Sequence, residues 1–575
     1  MNRHAMQHIV DSSYCFPVSE KEIVLRLRTA RDDIKSVQII YESKYLFGIK
    51  QQRAFMTKSY TSELYDFYSI HLKLKDTRLA YVFLVDDGEK SYFFSEDGIT
   101  ENYDYTLGYY NFFQYPYINK VDIMERVDWM KDAIFYQIFV DRFYMGDTTK
   151  DASYINCDWG DIPNPKTFAG GDLKGITKKL DYIKTTGCNA IYLTPVFQSI
   201  SNHKYDISDY YLVDEHFGSN EDLKELVEEA HKRGMKLVLD AVFNHCSDRM
   251  MQFQDVLEKG KESPYFDWFF IDGEKPNQET VNYETFAACD YMPKLNTSNP
   301  EVQKFLIDIG CHYLKEYDID GWRLDVSDEV SHDFWRSFRK AVKGCKKDAV
   351  IIGENWHDAY SNLRGDQYDS IMNYAFTKAC LDYFARECMD AQGLAWKLND
   401  LLMRNSDIVN SMMLNLLDSH DTHRFYSEVG ESRFKMKAAL CLLYLFPGTP
   451  CIFYGTEILI PGGYDPDCRR CMDWEKADIY GEFSDIYELL NRLSVIRKRY
   501  IITEGKYRIY AENGVFHLVH HAGDNSIILR INNTDTDVIT EGYNQKARSC
   551  SITVEQNGYK QLEFLECEEG VGNHE

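Results

Sequence analysis

Basic residues are scarce beside acidic ones: 65 Lys and Arg stand against 91 Asp and Glu in 575 residues, a formal net charge of −26. A chain this acidic repels phosphate backbones and anionic headgroups, which argues against nucleic acid and membrane partners. Long apolar runs are missing as well. The longest, Ala438 to Phe446, is far too short to cross a bilayer and stops at Pro447-Gly448. The opening MNRHAMQHIVDSSYCF holds no apolar h-region, so no secretory leader is expected. The 15 cysteines are odd in number and irregularly spaced, and are expected to be reduced thiols of a cytoplasmic protein. Internal repeats and low-complexity tracts are absent. What is present, 44% hydrophobic and 27% charged residues, belongs to a folded chain rather than a disordered one. The unusual figure is 14% aromatic residues with 42 Tyr, whose flat faces and polar tips suit sugar rings as well as cores.

The length corresponds to roughly four domains at about 150 residues each, or to one barrel with companions. Residues 1–122 read as a β-sandwich, with strands at Glu22–Leu27, Ser36–Tyr41, Phe67–Leu74, Ala80–Val85 and Ser91–Phe94. Over 123–497 strands alternate with amphipathic helices. Ile134–Val140, Ala190–Leu193, Lys236–Ala241, Gly321–Leu324, Val350–Gly353, Ser370–Tyr374, Leu414–Leu417 and Cys451–Tyr454 are the strand candidates, and their closure predicts a (β/α)8 TIM barrel within a multidomain α/β chain. Ser219 and Asp222 mark a capping box, Gly234 a stop, and Asn299-Pro300 the start of another helix. The stretch 246–292 is too long for a connector and predicts an inserted subdomain. Residues 498–575 return to hairpins with Asn513-Gly514 and Asn557-Gly558 turns and predict a C-terminal β-sandwich, its last residues ECEEGVGNHE frayed.

Polar residues at the carboxyl ends of barrel strands converge on one mouth. Here those ends read LDAVFNH (239–245), GWRLD (321–325), IIGENWH (351–357) and NLLDSHD (415–421). Asp325, Glu354 and Asp421, separated by 29 and 67 residues, follow three different strands and can meet only through the fold. Crowded carboxylates raise at least one pKa. Glu354 beside Trp356 is expected to be the protonated one, with Arg323, two residues before Asp325 on the same strand, keeping Asp325 ionised. A nucleophile paired with an acid is what glycoside hydrolysis requires. Solvated charge lining a barrel mouth is the plainer reading of the same spacing.

The segments DAVFNH, GWRLDVSDEVSH, GENWH and LLDSHD resemble, in order and spacing, the four signature segments of the α-amylase family of glycoside hydrolases (family 13). MPKLN (292–296), SNHKYDISDY (201–210) and GGYDPDCRR (462–470) resemble its neopullulanase, cyclomaltodextrinase and maltogenic amylase subgroup. The N-terminal sandwich resembles that subgroup's starch-binding-type module. The resemblance implies Asp325 as nucleophile, Glu354 as general acid/base and Asp421 as the residue holding the sugar's 2- and 3-hydroxyls. It implies that His245 and His420 bind the glucose to be cleaved, that Arg323 fixes Asp325, that Tyr205 stacks beneath the ring and that Asp465 and Arg469 contact sugar. Trp356 would lie on the leaving-group side, and Asp240 and Asn244 would support by hydrogen bonds.

Relatives often hold calcium in a loop after the first strand. Here Met145 offers no hard oxygen and Lys150 brings an ammonium, leaving a weakened set of Asp147, Asp151, Gly170 and Asp172. No cofactor is therefore expected to be required, calcium is expected to be dispensable, and the Lys150 amine is expected to replace the ion's charge. His420-x-x-His423 near Asp418 also allows a zinc reading, and Cys468-x-x-Cys471 a metal or redox one. Asn355 and Asp328 depart from the residues usual in relatives. The implied activity is retaining hydrolysis of cyclodextrins and short maltodextrins, with pullulan and starch weaker, giving maltose and glucose with some transfer. A homodimer through the N-terminal module is implied too. An α-1,6-active or mainly glycosyl-transferring relative, and an inactive glucan-binding protein on the same fold, are the alternatives.

Overall fold

The computed structural model describes residues 1–540 and 542–567, so the tail expected to fray lies outside the described residues from 568 onward. The chain folds as two compact units: Val127–Arg386 with Ser411–Gly505, and Met1–Arg126 with Glu387–Asn410 and Lys506–Glu575.

The first of these is the barrel. Its strands are β1 (Phe135–Ile138), β2 (Ala190–Leu193), β3 (Lys236–Ala241), β4 (Gly321–Leu324), β5 (Val350–Gly353), β6 (Ser370–Ile371), β7 (Leu414–Leu416) and β8 (Thr449–Phe453). They pair in parallel in the order β6-β5-β4-β3-β2-β1-β8-β7. A parallel bridge between Met372 and Leu414 joins the two ends, so the ring closes. Buried on both faces, these strands are near-continuous apolar runs. β6 is shorter than its sequence pattern suggests because the Asn373 side chain accepts the Phe376 N–H and starts the helix Tyr374–Cys380. The punctuation works as read: Ser219 and Asp222 form a reciprocal capping box before helix Asn220–Lys232, and Asn299 Oδ1 accepts Glu301 N–H at 2.8 Å before helix Pro300–Glu316. Residues 246–292 hold the helix Met251–Lys259 and the isolated bridge of Ile271 with Tyr283, and Thr285 bridges to Pro293 just beyond the stretch.

Just before β4, at the amino-terminal end of the barrel, Asp320 is fully buried. Its oxygens accept from His231 Nε2 at 2.7 Å, Lys236 Nζ at 2.9 Å, Lys346 Nζ at 3.0 Å and Leu237 N–H at 3.0 Å. Burial pushes the carboxyl up, but the hydrogen bonds from His231 and Lys236, with the Lys346 charge, outweigh it and hold the group well below the usual carboxylate range. A depressed folded-state value contributes stability above the unfolded value near 4 that is lost as pH falls. Asp320→Asn is therefore expected to cost about 3 kcal/mol in urea unfolding at pH 7, with the gap to wild type beginning to narrow only as pH falls below about 4.

In the second unit, one sheet runs Cys15–Ser19, Glu22–Ala30, Tyr65–Lys73, Thr57–Thr61, and faces another built on Gln52–Phe55, Ser36–Glu42, Leu79–Asp86, Ser91–Ser95 and Gly98–Thr100. Leu25, Leu27, Val37, Ile39, Tyr81 and Phe83 form part of the core between them. The C-terminal segment forms a five-stranded antiparallel sheet and a separate two-stranded hairpin. Its turns have positive φ at both centres, 53° and 83° at Asn513-Gly514 and 51° and 79° at Asn557-Gly558, the twist-matched hairpin geometry. Helix Ala391–Arg404, which the sequence pattern assigns to the barrel, belongs to this unit. Asn399 Nδ2 donates to Thr61 O at 2.9 Å and Ile509 O at 3.0 Å. Periodicity shows that a helix has an apolar face, but not which surface covers it. Fourteen of the cysteines stand outside any disulfide, and among the described residues no helix is long and apolar enough to cross a membrane.

Candidate active site

Arg323 lies in β4, paired in register with Asp240 of β3, and is buried to 1% exposure. Its Nη1 donates to Asp240 Oδ1 at 3.1 Å and Oδ2 at 3.0 Å, and to Asp325 Oδ1 at 2.9 Å. Its Nη2 sits 3.0 Å from Glu354 Oε2 and 3.9 Å from Asp421 Oδ2. One guanidinium thus gathers four carboxylates from four strands, including the three singled out by spacing. Val326, directly after Asp325, is left-handed at φ 44°, a costly conformation for a β-branched residue, and its N–H donates to Glu354 Oε2 at 2.9 Å. Trp356 Nε1 donates to Glu354 Oε1 at 3.1 Å, and its indole stacks on Tyr374.

Around Asp421, His420 Nε2 is at 3.2 Å and Arg469 Nη2 at 3.3 Å. Arg469 also donates from Nε to His420 O at 2.7 Å and pairs with Asp465 at 2.9 Å. Tyr205 OH reaches His420 Nε2 at 2.5 Å and Asp240 Oδ2 at 3.0 Å, its ring parallel to the imidazole. Burial, then the Arg469 and Arg323 charges, keep His420 neutral far below its usual range. His245 stacks on Phe286 at 4.7 Å, and burial and Lys294 lower it to about 3, a neutral imidazole whose Nε2 has no hydrogen-bond partner among the described residues. Asn244 accepts from Lys294, and Asp240 accepts Tyr192 OH at 2.6 Å. Sequence reading missed Gln137, whose Nε2 meets His420 Nδ1 at 2.6 Å and orients the ring. The signal was there: a lone amide inside the apolar strand FYQI.

Burial and the Glu354 charge push Asp325 well above the usual carboxylate range, and Arg323, shared among several carboxylates rather than dedicated to Asp325, does not offset them as the sequence pattern suggests. Glu354 accepts Val326 N–H and Trp356 Nε1–H.

The loop after β1 does not assemble a cation cage from the four residues expected. Lys150 Nζ occupies the centre, donating to Gly170 O at 2.7 Å and His216 O at 2.9 Å and pairing with Asp172 Oδ2 at 3.0 Å. Asp147 turns to Lys174 at 2.7 Å, and Asp151 accepts Ser153 N–H at 2.9 Å. An ion needing six to eight oxygens does not fit this set. Among the described residues no cluster of three or more His, Cys, Asp or Glu is placed to hold a metal. His423 pairs with Glu428 instead of joining His420, and Cys468 and Cys471 are both buried, Cys468 Sγ donating to His420 O at 3.3 Å.

Comparison with known proteins agrees with this geometry. The family described as alpha amylase, catalytic domain, matches residues 137–521, and the alpha amylase N-terminal ig-like domain matches residues 1–119. A cyclomaltodextrinase of Thermoanaerobacter pseudethanolicus is 41% identical over 93% of both chains. An intracellular maltogenic amylase of Bacillus subtilis is 40% identical over 88% of this chain and 86% of its own. A solved cyclomaltodextrinase structure superposes with a TM-score of 0.89 at 36% identity, covering 94% of this chain and 92% of that one. The chain belongs to the α-amylase family of glycoside hydrolases, with cyclomaltodextrinases and maltogenic amylases among its relatives.

Proposed function

We propose that this α-glucan hydrolase cleaves α-1,4 bonds of cyclodextrins and short maltodextrins to maltose and glucose, acts more weakly on pullulan and starch, and transfers some glycosyl groups to sugar acceptors. The observation that carries the reading is the convergence of Asp325, Glu354 and Asp421 on the Arg323 guanidinium. Asp325 attacks the anomeric carbon as Glu354 protonates the departing glycosidic oxygen, giving a glycosyl ester. Glu354, now the base, takes a proton from water or a sugar hydroxyl, which displaces Asp325 with net retention. Asp421 holds the ring hydroxyls, assisted by His420 and the neutral His245. Tyr205, Asp465 and Arg469 contact sugar, and Trp356 serves the leaving-group side. The loop around Lys150 makes a bound calcium unnecessary in this proposal.

The protein is proposed to work in the cytoplasm, as its relative, the intracellular maltogenic amylase of Bacillus subtilis, is named for doing. It is also proposed to form a homodimer through its N-terminal module, narrowing the partner's cleft. Tyr45, Ile49 and Phe55, at 71%, 81% and 69% exposure, give that module an apolar surface. The test is product analysis by chromatography with β-cyclodextrin, soluble starch and pullulan supplied separately. Ring opening to maltose and glucose faster than starch cleavage, with panose from pullulan, is the expected result. Fast starch cleavage with the ring intact would overturn the substrate preference and the narrowed cleft together.

A further inference from the structure

Asn355, directly after Glu354, is buried, and its Oδ1 accepts the His357 backbone N–H at 2.9 Å. That bond closes an Asx-type turn, which an apolar side chain has no atom to make. The residue displayed by the turn is Trp356. Its Nε1 donates to Glu354 Oε1 at 3.1 Å, and its indole lies flat on Tyr374, with centroids 3.7 Å apart and planes 3° from parallel. Tyr374 is buried, so this platform is rigid, whereas Trp356 is 45% exposed and owes its placement to the stack and the turn. Glu354 Oε2 is already tied by Val326 N–H at 2.9 Å and by Arg323 Nη2 at 3.0 Å. Oε1 is the oxygen left to deliver a proton, and Trp356 Nε1–H sets its direction.

We propose that Asn355 is a positioning residue for the acid/base: the turn its amide closes seats Trp356 on Tyr374 and thereby aims Glu354 Oε1 at the leaving oxygen. Asn355 touches no reacting atom in this scheme and acts through Trp356. The inference rests on Glu354 being the acid/base, as proposed above.

The test compares two substrates that differ in their need for an acid. Maltotriose loses a sugar oxygen that must be protonated, whereas α-maltosyl fluoride loses fluoride, which needs little proton assistance. Glu354→Gln is the control, expected to lose on the order of 10²-fold or more in kcat/KM on maltotriose while largely keeping the fluoride reaction. Asn355→Val is expected to lose about tenfold on maltotriose and to stay within about threefold of wild type on the fluoride. Asn355→Ser, whose hydroxyl closes the equivalent turn, is expected to recover most of the maltotriose activity. Equal losses on both substrates in Asn355→Val would mean a general disturbance of the pocket and would overturn the proposal, as would no loss on either. If Glu354→Gln itself fails to separate the two substrates, the acid/base assignment is wrong and this inference falls with it. A control that separates them beside an Asn355→Val that does not refutes the positioning role alone.

Discussion

Asp325→Asn is expected to reduce kcat/KM on β-cyclodextrin by on the order of 10⁴-fold or more, and at the same time to make the protein more stable at neutral pH. The first effect follows from removing the only group in the proposed scheme that bonds to the anomeric carbon. The second follows from the site's electrostatics. Asp325 is buried beside Glu354, Asp240 and Asp421, and its raised value means that the folded state holds the proton more tightly than the unfolded chain does. Wild-type stability is therefore penalised as pH rises above the unfolded Asp value near 4, and asparagine escapes that penalty while still offering Arg323 an acceptor oxygen. The gain should be about 1–2 kcal/mol at pH 7 and should vanish near pH 4. Differential scanning calorimetry of both proteins across that range checks it. A variant less stable than wild type at pH 7 would show that the Arg323 ion pair outweighs the crowding.

Lys150→Met is expected to be the most damaging change outside the catalytic pocket. It removes an ammonium held by two backbone carbonyls and a carboxylate, and Asp172, 1% exposed, would be left buried without its cation. Asp172 also caps the helix Leu173–Thr185 through Gly175 N–H and accepts Gly146 N–H at 2.9 Å, so the disturbance reaches both the loop and the helix it precedes. A loss of about 3–4 kcal/mol is expected, read as a lower midpoint in chemical unfolding. Wild type should melt at the same temperature with and without EDTA, because its cation is covalently part of the chain. A drop in melting temperature and activity on chelation would contradict this account of the loop.

Much of this protein was legible without coordinates where local chemistry decides the outcome. Four barrel strands, Ala190–Leu193, Lys236–Ala241, Gly321–Leu324 and Val350–Gly353, run to the residues their patterns predict, because short apolar runs bounded by turn and cap residues have one way to be buried in a parallel sheet. Ser219 with Asp222, Asn299 with Pro300 and the two Asn-Gly turns act within a few residues of themselves, and the order and spacing of the carboxylate segments identify the family. The tertiary structure decided what depends on neighbours distant in sequence. It placed Ala391–Arg404 with the β-rich unit and Gln137 against His420, 283 positions away. It also crowded Asp325 against Glu354 in a buried pocket and put the Lys150 ammonium inside an oxygen cluster drawn from two segments. The physical reason is range. Backbone propensity, capping and hydrophobic period are set by adjacent residues, whereas burial, shared charges and the partners of a buried polar group are set by whatever the fold brings alongside.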